Sequence, residues 1–197
     1  MMGFYDDPTS VDEYEKMCEG YDGTQIYSTL ERHLSPGKTI LEVGCGPGYD
    51  IESLKINYPI VGSDNSEEFL KRCRERYPDL EFLNLDAITL DIDRRFDCIY
   101  SNKVLHHLSI DDLILCFKRQ CHVIREDGLF AHSFWIGDEE FEKDGLYFRF
   151  HDREALIRLI GDYFEIIETL DYKEFEDGDS LFVIARNGRR MDETTIL

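Results

Sequence analysis

Thr39-Ile40-Leu41-Glu42-Val43-Gly44-Cys45-Gly46-Pro47-Gly48-Tyr49-Asp50 is the stretch whose reading decides the fold. A short apolar run ends in an acid and then meets three glycines at every second position. Ile40, Leu41 and Val43 supply apolar contacts on both faces, as a buried parallel strand requires. The glycines, with no Cβ, let the backbone turn sharply and approach a ligand closely. A helix from Tyr49 through Leu54 can follow, its first N–H groups facing that ligand. Strand, glycine turn and helix start together make a place for a nucleotide-like cofactor.

Outward from this stretch the pattern alternates. Upstream, Val11, Tyr14 and Cys18 are spaced for one side of a short helix. Thr24 is placed to cap a second helix carrying Ile26, Leu30 and Leu34 on one face. Downstream, a crossover helix is expected over 49–57 and a second strand over 60–63, stopped by Asp64. Ser66 is a natural N-cap, with Glu67 and Glu68 in the first turn and Arg74 and Arg76 toward the end, the charge order a helix dipole favours. A third strand is expected over 81–85 and a fourth over Phe96–Ser101. Ser109 caps a long helix with Leu113, Phe117, Cys121 and Ile124 inward. Asp127-Gly128 turns the chain into a fifth strand over 129–135. Asp152 caps a last helix with Ala155, Leu156, Leu159 and Ile160 inward. Two strands remain, over 164–170 and Ser180–Arg186, with an Asp177-Gly178 turn between them. The alternation predicts an α/β fold, Rossmann-like and doubly wound, with a mostly parallel sheet, helices on both faces and a terminal hairpin that makes one strand antiparallel.

The chain has 197 residues, enough for one such domain with a full core. The expected organisation is a single domain over 1–187, with 1–35 a helical cap, 36–187 the Rossmann-like core and 188–197 a tail. Forty-two acids against twenty-two bases give a net charge of −20, which repels a polyanion and argues against nucleic acid as a partner. No apolar run approaches the ~20 residues of a membrane helix, and the acidic start is unlike a signal peptide, so a cytoplasmic protein without membrane contact is expected. Six cysteines without a CxxC pair fit neither a disulfide framework nor a metal site, and read as small buried thiols, with Cys116 and Cys121 on different faces of their helix.

In doubly wound sheets ligands sit beyond the carboxyl ends of the strands, where strand order reverses. Those ends carry Glu42, Gly44, Cys45, Gly46 and Gly48 on the first strand, Asp64 and Asn65 on the second, Asp86 and Ala87 on the third, and Ser101 and Asn102 on the fourth. A carboxylate at Asp64 can accept both hydroxyl hydrogens of a ribose. Its competing reading is a cap before the Ser66 helix. Asp86 can accept from an exocyclic amine with the Ala87 N–H left for a ring nitrogen; its competing reading is a turn residue. The spacing GxGxG, rather than GxGxxG, and the acid at Glu42 disfavour a pyrophosphate. They suit a nucleoside with a zwitterionic, cationic tail.

Ile40 through Gly48 resembles the first motif of class I S-adenosylmethionine-dependent methyltransferases. Val61-Gly62-Ser63-Asp64-Asn65-Ser66 is similar to their second, Leu85-Asp86-Ala87 to their adenine-side motif, Phe96 through Leu108 to their fourth strand and following loop, and Asp127-Gly128-Leu129-Phe130 to the start of the fifth. The resemblance covers about residues 30–187, with Ser63 standing where relatives usually have an apolar residue. It implies seven strands with the last antiparallel. It implies S-adenosyl-L-methionine as cofactor, held by 42–48 at the methionine part, Asp64 at the ribose, Asn65 at the adenine face, Asp86 and Ala87 at the adenine, and the backbone of Ser101 and Asn102 at the methionine tail. It also implies that the acceptor pocket is built from the N-terminal segment, the loop after strand four and the insertion after strand five.

Those segments supply Tyr14, Tyr21, His106, His107, Trp135, Tyr147, Phe148, Arg149, Phe150 and His151. His106, Tyr14, Tyr21 and Arg149 are the catalytic candidates, Arg149 as the cation for an acidic acceptor. Plainer readings compete: packing or capping for His107, with His106 pointing differently beside it, core cover for the tyrosines, a surface ion pair for Arg149. A small-molecule acceptor at oxygen, sulfur, nitrogen or activated carbon is expected, in a monomer or homodimer. A protein substrate, or a non-catalytic sensor or pseudoenzyme subunit with the same cofactor motifs, is the alternative.

Overall fold

The computed structural model describes residues 4–188. The expected tail, Gly188 apart, lies outside the described residues. Seven strands form one sheet: β1 (Ile40–Val43), β2 (Ile60–Asp64), β3 (Glu81–Asn84), β4 (Phe96–Ser101), β5 (Ile124–Trp135), and, after an intervening hairpin β6 (Glu140–Lys143) and β7 (Leu146–Arg149), β8 (Glu165–Tyr172) and β9 (Ser180–Arg186). The spatial order is β3-β2-β1-β4-β5-β9-β8. The first five pair in parallel, while β9 runs antiparallel to both β5 and β8. Strand order reverses between β1 and β4, so a crevice opens at their carboxyl ends. The sheet is the seven-stranded, last-strand-antiparallel one expected.

The β1 residues are buried on both faces, and two apolar clusters account for this. On one face α2 (Thr24–Glu31), α3 (Tyr49–Leu54) and α4 (Glu67–Arg76) bring Ile26, Leu30, Ile51, Leu70 and Cys73 against Ile40, Cys98, Tyr100 and Phe182. On the other, α5 (Ile110–Val123) and α6 (Arg153–Gly161) bring Leu113, Phe117, Leu156 and Ile160 against Leu41, Val43, Ile99 and Phe130. A further helix, α1 (Pro8–Met17), lies against α4, where Arg72 meets Asp12 at 2.7 Å and Glu15 at 3.3 Å.

The expected caps Ser66, Ser109 and Asp152 accept N–H hydrogen bonds from Phe69, Asp112 and Ala155. Thr24 does not cap α2. It is the helix's first residue, and Asp22 Oδ1 accepts from its N–H at 3.0 Å instead. Ile124 is buried as expected but begins β5 rather than ending α5, and Ala155 is exposed. Cys116 and Cys121, expected on different faces, are both buried in one cluster, because the buried arc of α5, which also holds Leu113, Phe117, Gln120 and Val123, is wide enough to take in both. All six cysteines are free thiols, five of them buried. No helix among the described residues is long and apolar enough to cross a membrane.

The β6–β7 hairpin is the element not foreseen. Asp144 and Gly145 both take positive φ (54° and 78°), the requirement of a two-residue type I′ turn. Glu140, Glu142 and Lys143 hide the alternation around Phe141 and Phe148. The hairpin leans on the loop after β4, where His107 Nδ1 lies 2.8 Å from the Tyr147 carbonyl.

Candidate active site

Three left-handed glycines shape the loop after β1, and they are not equivalent. A Cβ on Gly44 (φ 66°) would sit 2.6 Å from Val104, and one on Gly48 (φ 79°) 3.1 Å from Cys73 and Tyr77. A Cβ on Gly46 would meet only Tyr14 Cε1, at 3.9 Å, so the open side of the loop lies at Gly46 under the N-terminal segment. Asp64, at the tip of β2, pins this loop. Its Oδ2 accepts from the Gly46 N–H and its Oδ1 from the Ser66 N–H, both at 2.9 Å. Cys45 is buried beneath, its N–H bonded to the Ser63 carbonyl at 2.8 Å.

Glu42 is 1% exposed, and its Oε2 has no hydrogen-bond partner. Burial first, then the neighbouring Asp50, Cys73 and Asp64, push its carboxyl well above the usual range. Asp50, in the first turn of α3, sits at a hub. Its Oδ1 accepts from the phenols of Tyr27 (2.7 Å), Tyr100 (3.0 Å) and Tyr21 (3.4 Å), and its Oδ2 from Asn102 Nδ2 at 3.3 Å. Burial raises its carboxyl while these donors hold it back. Three carboxylates thus surround one glycine loop. An ammonium or sulfonium would relieve their mutual repulsion, and a phosphate would worsen it. No described residues cluster in a way that could hold a metal ion.

At the end of β4, the Ser101 side chain turns into the core. Its hydroxyl lies 2.6 Å from His132 Nδ1, while His132 Nε2 lies 2.8 Å from Gln120 Oε1. A carboxamide oxygen only accepts, so the proton is on Nε2 and the Ser101 hydroxyl donates to Nδ1. Burial lowers the His132 pKa to about 3, which keeps this ring neutral. Only the backbone of Ser101 is left for the crevice. Asn102 spans it: Nδ2 donates to the Tyr21 hydroxyl at 2.6 Å and Oδ1 accepts from Ser133 Oγ at 2.6 Å. Asp86 is exposed, with Oδ1 accepting from the N–H groups of Ile88 and Thr89 at 2.9 Å, so it serves as a turn residue here whatever else it binds. Asn65 is exposed, and Ala87 packs against the α5 side of the core.

Beyond Asn102 lies a cavity of about 820 Å³, lined by Tyr5, Tyr14, Tyr21, Lys103, His106, His107, Trp135 and Phe148 among others. Tyr14 meets Tyr5 and Phe69 edge to face. His106 is 2% exposed and lies against two rings: its centroid is 4.2 Å from Trp135 and 5.7 Å from Phe148, with interplanar angles of 16° and 13°. Its Nδ1 has no hydrogen-bond partner. Burial, with His107, Lys103 and His151 nearby, holds its pKa well below the usual value, so the ring is neutral.

Tyr14, Tyr21 and His106 therefore meet at the cavity, and Arg149 does not. Arg149 pairs with Glu140 across the hairpin at 2.5 Å and is absent from the cavity wall. The register that sets it opposite Glu140 decides this. The buried cation is Lys103, which the sequence reading passed over. Its Nζ is 2.9 Å from Glu174, donates to Ser180 Oγ at 2.6 Å, and lies over the rings of Trp135 (5.4 Å) and Tyr172 (5.2 Å). Burial brings its pKa down to about 8 despite Glu174. Its φ of 56° is uncommon for a residue with a side chain, and its N–H is held by Ser133 Oγ at 2.8 Å. Asp50, Tyr27 and Tyr100 were missed as well. Asp50, just past the third glycine, carries the one signal a sequence offers, an acid beside the loop.

Residues 40–128 match a family model described as a methyltransferase domain. Among curated proteins, a trans-aconitate 2-methyltransferase of Afipia carboxidovorans is 30% identical over 97 residues, 48% of this chain and 37% of that protein. A malonyl-[acyl-carrier protein] O-methyltransferase of Bacillus anthracis is 31% identical over 125 residues, 60% of this chain and 45% of that protein. The matched part thus spans less than half the length of these relatives. Among solved structures, an S-adenosylmethionine-dependent methyltransferase of Clostridium acetobutylicum superposes with TM-score 0.73 at 14% identity, over 89% of this chain and 98% of the other. A Burkholderia thailandensis 1,6-didemethyltoxoflavin-N1-methyltransferase gives TM-score 0.73 at 21% identity, over 89% and 82%. At these identities the likeness establishes the fold.

Proposed function

We propose that this chain carries a class I S-adenosylmethionine-dependent methyltransferase domain and that it moves a methyl group onto a small-molecule acceptor held in the cavity beyond Asn102. The observation that carries the reading is the buried, unpartnered carboxylate oxygen of Glu42 beneath the glycine loop, with Asp50 and Asp64 beside it. Burial raises this carboxyl well above its usual range, and a cationic ligand tail beside it would favour the charged form.

S-adenosylmethionine, when bound, supplies a methyl activated on a sulfonium. The loop 44–48 and Glu42 would hold the methionine part, with Ser101 and Asn102 offering backbone along it. Asp64 would hold the ribose, and Asn65, Asp86 and Ala87 the adenine side. Gly46 is where the backbone can be approached, because only Tyr14 stands near its missing Cβ. Tyr5 and Tyr14 cover the loop and exclude water, which favours transfer of a methyl from a cation. The cavity volume lies in the ~300–1,000 Å³ range of small-molecule sites, and the trans-aconitate enzyme among the relatives is named for a small acceptor.

Calorimetric titration with S-adenosylhomocysteine tests this. Wild-type protein should bind, and Asp64→Ala should bind about 1–3 kcal/mol more weakly, the range for hydrogen bonds to a charged group. Equal affinity in both would remove Asp64 from the site. Release of S-adenosylhomocysteine from S-adenosylmethionine in a metabolite pool would separate an enzyme from a binding protein.

A further inference from the structure

The cavity wall has an order that its composition does not require. His106, Trp135, Phe148, Phe150 and Phe141 are rings from three separate segments, yet consecutive pairs are nearly parallel. The angles are 16° for His106–Trp135, 13° for His106–Phe148, 18° for Trp135–Phe150 and 15° for Phe141–Phe148. Rings packed only to fill a core adopt edge-to-face pairs at least as readily. Phe117–Phe130, at 86°, does so here. Phe141, at the outer edge of this group, is 40% exposed. Trp135 and Phe148 also meet, at 6.2 Å and 17°, and Phe141 leans on Phe150 at 31°, so the rings form one cluster of mostly parallel faces, open to solvent at Phe141, against which another flat ring can lie.

Charge narrows what fits. Glu13, Glu19, Asp22, Asp144, Glu174 and Asp179 line the same cavity against Lys103, Lys143 and Lys173, an excess of acid that opposes an anion. The buried cation that could answer an anion, Lys103, is already engaged by Glu174 and Ser180. It also lies over Trp135 and Tyr172, so a cationic guest would meet a like charge at the ring faces it would seek. A neutral guest meets neither objection. Among these rings His106 has a buried nitrogen with no partner, and a neutral imidazole presents one acceptor lone pair.

We propose that the acceptor is a neutral, planar aromatic bearing an N–H or O–H, seated against this cluster of rings, and that the His106 imidazole takes its proton. The inference rests on the methyltransferase reading given above. The acceptor heteroatom forms a bond to the methyl carbon, the carbon–sulfur bond breaks with its pair left on sulfur, and the heteroatom's proton passes to His106 and then to water. The products are the N- or O-methyl aromatic and S-adenosylhomocysteine.

Trp135 is the chain's single tryptophan, so its fluorescence reports on this cluster. Benzimidazole, a neutral planar azole, is titrated against the whole protein by calorimetry and by Trp135 quenching. Cyclohexylamine and tricarballylate serve as the cationic and anionic probes. Benzimidazole should quench Trp135 and bind at least about tenfold more tightly than either control. Phe148→Ala, which removes one ring face, should weaken it by about tenfold or more while S-adenosylhomocysteine binding stays the same. His106→Gln should leave benzimidazole binding within a few-fold. It should slow methyl transfer to it by about 10²–10⁴, the usual contribution of a general base, and flatten the acid limb of the pH profile. Preference for tricarballylate or cyclohexylamine, or quenching unaffected by Phe148→Ala, overturns the acceptor class. An unchanged rate and pH profile in His106→Gln overturns the proton role. Failure to bind S-adenosylhomocysteine with benzimidazole still bound would sink the cofactor reading and leave the ring cluster standing.

Discussion

Replacing Glu42 by Gln should remove a pH-dependent penalty from the ligand-free protein and a partner from the ligand-bound one. The Glu42 carboxyl is raised above its usual 4.5 by burial and then by Asp50, Cys73 and Asp64. An unfolded chain releases this proton near the usual value while the folded chain keeps it. Over that window the unfolded state binds fewer protons, so stability falls as pH rises, by at most about 1.4 kcal/mol per pH unit for one proton. The favourable contribution is full below 4.5 and is lost as pH climbs to the folded value. Gln has no proton to lose, so the variant's curve should be flatter by up to that slope. Asp50 is raised as well and interacts with Glu42, so the difference between curves reads Glu42 together with its influence on Asp50. A cationic tail beside Glu42 should favour its ionised form, so binding S-adenosylhomocysteine, with its ammonium, should release up to one proton. The variant should bind about 1.5–3 kcal/mol more weakly. Urea denaturation of both proteins from about pH 4.5 to about pH 7.5 reads the slopes, and calorimetry in two buffers of different ionisation enthalpy reads the proton. Parallel stability curves, or proton uptake on binding, would refute the reasoning.

Gly44→Ala should destabilise the protein by about 1–3 kcal/mol, since its Cβ meets Val104 at 2.6 Å and φ is 66°. Val104→Ala should restore part of the loss in thermal melts, because it removes the clash and leaves the backbone strain. Lys103→Met should abolish a rise in stability between about pH 8 and about pH 10.5. There the unfolded chain binds a proton that folded Lys103 has given up, and the full term is on the order of 3 kcal/mol. Identical curves above pH 8 would place the Lys103 Nζ in water. Arg149→Ala should change stability by no more than about 1 kcal/mol, as for a partly exposed ion pair, and should leave S-adenosylhomocysteine affinity unaltered. A large loss of affinity would return Arg149 to the site.

Nearly all of the fold was legible because the signals are local. Ser66, Ser109 and Asp152 stop their own backbones, and β1 and β4 are apolar on both sides because both are buried. The glycine loop was legible for the same reason, since its constraint is a conformation of its own residues. The proposed cofactor-side residues follow from chain order, for each strand end must reach the same edge. The β6–β7 hairpin was obscured by its acids, although Asp144-Gly145 marks its turn.

The acceptor side is another matter. His106 and Arg149 looked alike in sequence, a polar residue among aromatics, and the structure parts them: strand register sets Arg149 opposite Glu140, while His106 is buried against Trp135 and Phe148. Lys103 becomes the buried cation only because β5, β9 and the loop before β9 bring Trp135, Ser180 and Glu174 around it. Asp50 becomes a hub because Tyr21, Tyr27 and Tyr100 arrive from elements 23 to 50 residues away. By itself the sequence determined the sheet, its loop and the kind of cofactor it suits, through periodicity and backbone preference acting over a few residues. Only the tertiary structure decided which charges are paired, which imidazole is neutral and which rings are parallel. Those depend on distances between segments, and a linear pattern does not encode them.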